Sequence, residues 1–320
     1  MKTIPKTILI SGASGIVGYG ILRSLKNAGC KLIGTTIYED SAAPAFCDIF
    51  ELAPKTCEPH YIDWLCGIIK KHKVDMIIPS IEADTTAWNK NRATLEKTGA
   101  FVLLNTPELI ELCADKWLFY EKIKDLKYAI PSSIEPDFDQ FELPFLLKPR
   151  CGFGSKGIVR VENAKIFEAH KNRIGKTLMV QPIIGNDEEE YTASAFFDKE
   201  SNLKAYMVLK RKLANEGFTE KAKVVDLDGA KAAMEELAKI FKPIGPTNFQ
   251  FRKTNGGLKL LEINPRISSA TSIRTAFGYN ESLMSIEYFL NGKTIEQPEI
   301  KKGYAIRYTE DLIIHDSANI

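Results

Sequence analysis

Short apolar runs at Thr7–Ile10, Lys31–Thr36, Val74–Pro79 and Phe101–Leu104 alternate with the helix-like stretches YGILRSLKNAG, Tyr61–His72 and Thr85–Thr98. Strand and helix in strict alternation predict an α/β class with a parallel, doubly wound sheet. Further on, LPFLLKP, LMVQPII (Leu178–Ile184) and EYTASAFF read as strands. Pro182 cannot donate to a ladder, so its strand is an edge or a hinge. In DKWLFYEKIKDLKYAIP, the residues Trp117, Leu118, Tyr120, Ile123 and Leu126 make one buried helical face. From Gly245 to Arg266 the chain reads as a hairpin, NFQF and LKLLEI joined at Asn255-Gly256-Gly257. Period-two alternation puts Lys259, Leu261 and Ile263 on one face and Leu260, Glu262 and Asn264 on the other. The hairpin brings Gln250 beside the second set.

Length and composition narrow the classes. A chain of 320 residues suggests about two domains with ample core. With 44% hydrophobic and 26% charged residues and a net charge of +2, nothing points to nucleic acid or an anionic membrane as partner. The start, MKTIPKTILISGASG, has too short an apolar run for a signal peptide, and no stretch of 18 apolar residues spans a bilayer. Cys30, Cys47, Cys57, Cys66, Cys113 and Cys151 form no CxxC pair, which fits a reduced cytoplasm. Cys57, His60 and Cys66 are three zinc-type ligands that lack a fourth.

Several groups carry candidate chemistry. The glycines at 12, 15 and 18 either expose N–H groups to a phosphate or let strand and helix pack closely. GASGIVG, with Glu39 downstream and the Tyr120/Lys124 YxxxK spacing, resembles short-chain dehydrogenases and nucleotide-sugar epimerases. The alternative for Tyr120 and Lys124 is a packed aromatic beside a solvated lysine. Glu82 and Asp84 follow a strand at the carboxyl edge of the sheet; they face a substrate, or Asp84 caps the next helix. Lys148 ends an apolar run, where an unpaired ammonium is costly. Gly152, Gly154, Ser155 and Gly157 make a flexible loop rich in N–H donors, without Walker A order. The hinge at Pro182 leaves backbone groups free for an adenine edge. Glu190, at a strand start, is placed to accept ribose hydroxyls, whereas the run from Asp187 is otherwise a solvated turn. Gln250, Glu262 and Asn264 make an oxygen site for a hard cation shared with phosphate, and Arg266 supplies a planar cation. An ordinary hairpin with a polar face is the other reading of that stretch.

Taken in order, these segments resemble the ATP-grasp superfamily, and in detail the synthetase component of the carbamoyl phosphate synthetase large subunit. The resemblance implies an N-terminal Rossmann-like (pre-ATP-grasp) parallel sheet over residues 1–113. An ATP-grasp α+β domain follows over 114–320, its lid subdomain about 114–184 and its core about 185–320. It implies ATP with Mg2+ or Mn2+ as cofactors. Lys116 and Lys148 would hold phosphates beneath a flap containing Gly154 and Ser155. Val180, Gln181 and Ile183 would meet adenine, and Glu190 the ribose. Gln250, Glu262 and Asn264, at the family's spacing, would ligate metal, while Arg266 and Arg211 would act in catalysis. The family's bicarbonate users carry NPRxSR where this chain has NPRISS, so Ser269 replaces an arginine, and only one such unit is present. What is implied is a carboxylate ligase acting on a small-molecule carboxylate and amine, with a homodimer common among relatives. Two alternatives stay open: a nucleotide-binding protein without ligase turnover, and an NAD(P)-dependent reductase or epimerase.

Overall fold

The computed structural model describes residues 5–152, 156–214 and 217–313. The chain opens with β1 (Thr7–Ile10), α1 (Ile16–Leu25), β2 (Lys31–Thr36), β3 (Ile49–Leu52), α2 (Tyr61–His72), β4 (Met76–Ile78), α3 (Glu82–Lys90), α4 (Arg92–Glu96) and β5 (Phe101–Val102). The five strands make one parallel sheet in the order β3-β2-β1-β4-β5. β3 was not among the expected strands: it is a half-exposed edge with a weak apolar signal. The helix expected over 85–98 starts earlier, at Glu82, and breaks at Asn91, whose side chain bonds back to the Ala87 carbonyl at 2.9 Å.

The glycines of the first turn act through packing. A Cβ on Gly18 would lie 2.4 Å from the Gly12 carbonyl oxygen, and Gly12 itself holds φ +58°. The turn thus folds tightly onto α1, which only glycine at both positions permits.

Next come α5 (Pro107–Ala114) and α6 (Lys116–Ile123), then β6 (Phe145–Pro149), β7 (Val159–Val161), α7 (Ala164–His170) and β8 (Leu178–Pro182). The three strands form a small antiparallel sheet, β7-β6-β8, with β8 on its edge as its proline requires. Asp115 caps α6, accepting the Trp117 and Leu118 N–H groups, and pairs with Arg150 at 2.6 Å. The face that α6 buries differs from the expected one. Phe119 and Ile123 are in the core, with Tyr120 and Leu126 packed against it, whereas Leu118 is 49% exposed. Counting every apolar residue as inward overfilled the stripe. Lys124 pairs with Glu121 at the surface.

The remainder comprises β9 (Glu190–Phe197), β10 (Leu203–Leu213), β11 (Thr219–Val224), α8 (Ala230–Phe241), β12 (Gly245–Thr254), β13 (Gly257–Asn264), α9 (Thr271–Ala276), α10 (Glu281–Phe289) and β14 (Tyr304–Ile306). Six of these are strands of one antiparallel sheet, ordered β13-β12-β9-β10-β11-β14. One face packs on α8 through Phe249, Phe251, Met234 and Leu237; the other packs on α9 and α10 through Phe196, Leu209, Ile273 and Met284. β9, at the centre, is buried throughout. The parallel sheet is stitched to this one by Asn105, which donates to Thr247 Oγ1 at 2.8 Å and accepts the Ile244 N–H at 3.0 Å. Ile267 and Ile286 complete the core beneath α1. No helix among the described residues is long and apolar enough to cross a membrane.

Gly18→Ala is expected to destabilise the protein by about 1–3 kcal/mol, the usual cost of overpacking, read from the urea unfolding midpoint. An unchanged midpoint with loss of nucleotide binding would instead make the turn a phosphate contact.

Candidate active site

The hairpin of β12 and β13 closes at Thr254 opposite Gly257 and pairs Gln250 with Glu262 and Asn248 with Asn264. Its register then slips: Phe251 pairs with Leu260, leaving Leu261 unpaired as a β-bulge. The bulge resets the alternation. Leu260 and Ile263 both enter the core, while Leu261, Glu262 and Asn264 line a cleft. The expectation that Leu261 shares a face with Ile263, and Leu260 with Glu262, is therefore corrected. An unbroken strand would turn one of the two apolar residues away from the core that Phe249 and Phe251 build.

Gln250, Glu262 and Asn264 do converge. Gln250 Nε2 and Asn264 Nδ2 both donate to Glu262 Oε1, the second at 3.0 Å. Across the sheet face the contacts continue. Arg211 Nη2 donates to Gln250 Oε1, and Arg211 binds Glu190 Oε1 through Nε at 3.1 Å and Nη2 at 2.8 Å. Arg252 Nη2 donates to Glu190 Oε2 at 2.7 Å. Both carboxylate oxygens of Glu190, which is 7% exposed, are thus engaged by guanidinium groups. Oε1 takes two of these bonds and Oε2 one, so the carboxylate expected to meet the ribose is held in place by the buried Arg211 and the half-buried Arg252. Arg252 escaped the sequence reading. The signal was available: it lies two residues after Gln250, on the same strand face.

The opposite wall comes from the small sheet. Lys148 Nζ donates to Gln181 Oε1 at 3.0 Å, and Gln181 Nε2 donates to Ser132 Oγ at 2.9 Å. Burial pushes the Lys148 ammonium below the ordinary lysine range; Glu262 works against that shift, and Lys116 and Arg252 add to it. Lys116, placed by the Asp115 cap, donates to the Gly152 carbonyl at 2.7 Å. Ile183 lines the cleft between Pro182 and Ile184. Gly154 and Ser155 lie outside the described residues.

The third side belongs to the parallel sheet. Ile16 and Val17 at the start of α1 and Glu82 at the start of α3 line the cleft. Glu82 meets Arg266 Nη2 at 3.1 Å, and Arg266 Nη1 also donates to the Ile267 carbonyl. Asp84 has no part in it: it is buried, accepts from Thr56 Oγ1 at 2.6 Å and the Tyr61 hydroxyl at 2.8 Å, and sits inside α3, not at its cap. The enclosed volume is about 410 Å³. The Cys57–His60–Cys66 set is not assembled; Cys57 is exposed, His60 faces Glu58, and no three His, Cys, Asp or Glu among the described residues are placed to hold a metal.

Two family models match the chain: residues 175–312 match "ATP-grasp in the biosynthetic pathway with Ter operon", and residues 8–103 match "PylC-like, N-terminal domain". The second half of the chain is similar to ATP-grasp proteins. Among curated relatives, it is 24% identical over 307 residues to the carbamoyl phosphate synthase large chain of Methanosarcina barkeri, covering 86% of this chain and 28% of that one. It is 30% identical over 169 residues to the formate-dependent phosphoribosylglycinamide formyltransferase of Synechococcus sp., covering 49% of this chain and 40% of the other. The chain therefore spans well under half of these relatives' length. Among solved structures, N5-carboxyaminoimidazole synthetase from Staphylococcus aureus complexed with ADP shares its fold, with a TM-score of 0.73, 19% identity and coverage of 94% and 82%. The biotin carboxylase domain of Hydrogenobacter thermophilus 2-oxoglutarate carboxylase, in complex with MgADP and bicarbonate, gives a TM-score of 0.70 at 16% identity, covering 93% and 73%.

The donor set in the cleft suits a divalent cation shared with phosphate. Glu262 would supply one carboxylate and Asn264 and Gln250 amide oxygens, so phosphate oxygens would have to supply the remaining charge. Each amide now turns its nitrogen to Glu262, and a cation would have each turn its oxygen inward.

Lys148→Met is expected to weaken ATP binding roughly tenfold or more, as loss of a charge-assisted contact does, without lowering thermal stability at neutral pH. Because its folded pKa is depressed, the unfolded chain holds the extra proton between that pKa and the ordinary lysine value, so stability rises with pH across that window. Wild type should gain on Lys148→Met as pH rises toward the ordinary lysine pKa, measured by urea unfolding; a constant gap would refute a buried ammonium.

Proposed function

We propose that this chain is an ATP-dependent carboxylate ligase. The observation that carries the reading is the convergence on one cleft of an oxygen-ligand trio, Gln250, Glu262 and Asn264, with two lysines on the facing wall. In this reading residues 1–113 and 114–320 are the two domains, with 114–184 as the lid.

ATP lies between the small sheet and the long one. Gln181 and Ile183 border the base, and Lys116 and Lys148 hold phosphate oxygens. Glu262, Asn264 and Gln250 would hold magnesium or manganese, which would supply charge neutralisation for the phosphates. Glu190 stays fixed by Arg211 and Arg252 and presents an edge of that network to the ribose. A substrate carboxylate oxygen, held near Arg266, attacks the γ-phosphorus; the bond to the β-phosphate oxygen breaks, and ADP leaves with the electron pair. The product is an acyl phosphate. An amine nitrogen then attacks the acyl carbon, the carbon–oxygen bond to phosphate breaks, and the nitrogen loses a proton, leaving an amide and phosphate. Positioning and electrostatics suffice for both transfers, with no covalent enzyme intermediate. The loop around Gly152–Gly157 shields the acyl phosphate from water.

The test is ADP release from MgATP across a panel of carboxylates, with hydroxylamine present to trap an acyl phosphate as its hydroxamate. Glu262→Ala should cut ADP release about a hundredfold or more while leaving the circular dichroism spectrum and unfolding midpoint near wild type. Wild-type turnover in that variant would remove the metal assignment, and NADH binding without ATP binding would remove the ligase reading.

A further inference from the structure

Beyond the Arg266 end of the cleft lies a second group of cations that the phosphoryl chemistry does not use. Ser269 lines the cleft, and its backbone carbonyl accepts a hydrogen bond from Arg307 Nη2, which arrives from the segment after β14. Arg307 Nε is buried without a hydrogen-bond partner in the described structure. α1 starts at the same cleft wall with Ile16 and packs on α9 just after Ser269, where a Cβ on Gly20 would lie 2.8 Å from Thr271 Cγ2 and Ser24 Oγ meets Thr275 Oγ1 at 2.9 Å. Tyr19 and Arg23 stand three and seven positions beyond Ile16 along one helix face. Arg23 Nη1 donates to the Tyr19 hydroxyl at 3.2 Å, and its guanidinium lies 5.5 Å from that ring's centre. Tyr19 is held in turn by Phe46, edge to face at 4.6 Å.

The charge balance is uneven. Arg274, which is fully buried behind Ser268, is neutralised by Glu281. Among the described residues neither Arg23 nor Arg307 has a carboxylate partner. Burial lowers the Arg307 guanidinium's affinity for its proton, and the like charges of Arg274 and Arg23 lower it further. A half-buried guanidinium among like charges, with an unused N–H, is costly unless an anion completes it.

Resting on the ligase reading, we propose that Arg307, Arg23 and Tyr19 form an anion subsite continuous with the cleft, and that the substrate reacting near Arg266 carries a second acidic group, a carboxylate or a phosphate, bound there. The acceptor is then a polyanionic small molecule. A simple monoacid would leave the subsite unfilled. Ser269 contributes only its carbonyl, so the cationic character of this end comes from the two arginines, brought in by α1 and the segment after β14.

Inorganic phosphate and malonate, titrated calorimetrically into the full chain with and without MgADP, test this. Wild type should bind at least one of the two, and which one distinguishes a phosphate-bearing from a carboxylate-bearing acceptor. Arg307→Gln and Arg23→Gln should each weaken that binding roughly tenfold, Arg307→Lys should weaken it less, and ADP affinity should be the same in all. Arg23 is exposed, so its variant keeps the fold. Anion affinity unchanged in both glutamine variants, or no anion bound by wild type, overturns the subsite. Loss of anion binding in those variants in a chain that binds no ADP would keep the subsite and sink the ligase reading.

Discussion

The cleft depends on a row of charge-assisted hydrogen bonds laid across one face of the long sheet: Arg252 to Glu190, Glu190 to Arg211, Arg211 to Gln250, and Gln250 to Glu262. Arg211 and Glu190 are almost fully withdrawn from water. Burying them is costly, and the cost is offset only because nearly every lone pair and N–H finds a partner in good geometry. Removing one member would leave its neighbour charged and unpaired. The network therefore fixes the rotamers of Gln250 and Glu262, whose placement decides whether a cation and its phosphates fit. Strands from β9, β10, β12 and β13 all contribute, so the precision of the site is inherited from the sheet ladder.

Two local irregularities make that ladder usable. The bulge at Leu261 lets β13 keep Leu260 and Ile263 in the core and still aim Glu262 and Asn264 outward. The tight turn at Gly12–Gly18 draws α1 close to the parallel sheet, which brings Ile16 and Val17 to the rim of the cleft. In both places the backbone gives up regularity so that apolar burial and polar presentation hold together.

The cleft is a junction of three sheets. The small sheet gives Lys148 and Gln181, the long sheet gives the acid and amide row, and the parallel sheet gives Glu82, which reaches Arg266. Asn105 to Thr247 holds the parallel and long sheets in register. Charges on separate layers thus meet without crowding any one strand with like charges, and burial between the walls holds the Lys148 ammonium below the ordinary lysine range.

The amino-acid pattern by itself determined the alternation of strands and helices, with the ranges of β1, β2, α2 and β9 matching the runs of apolar residues. It also gathered Gln250, Glu262 and Asn264, since a hairpin and a two-residue period are local properties. Local period was also where the reading failed. A bulge has no period, so the partners of Leu260 and Leu261 were exchanged. An edge strand such as β3 buries too little to show a pattern. The engagement of Glu190, the use of Arg252 and the bond from Arg307 to the Ser269 carbonyl were decided only by tertiary structure. Those contacts join residues 21 to 62 positions apart, and which buried charge meets which cation depends on the packing of whole layers, a quantity no short window of sequence contains.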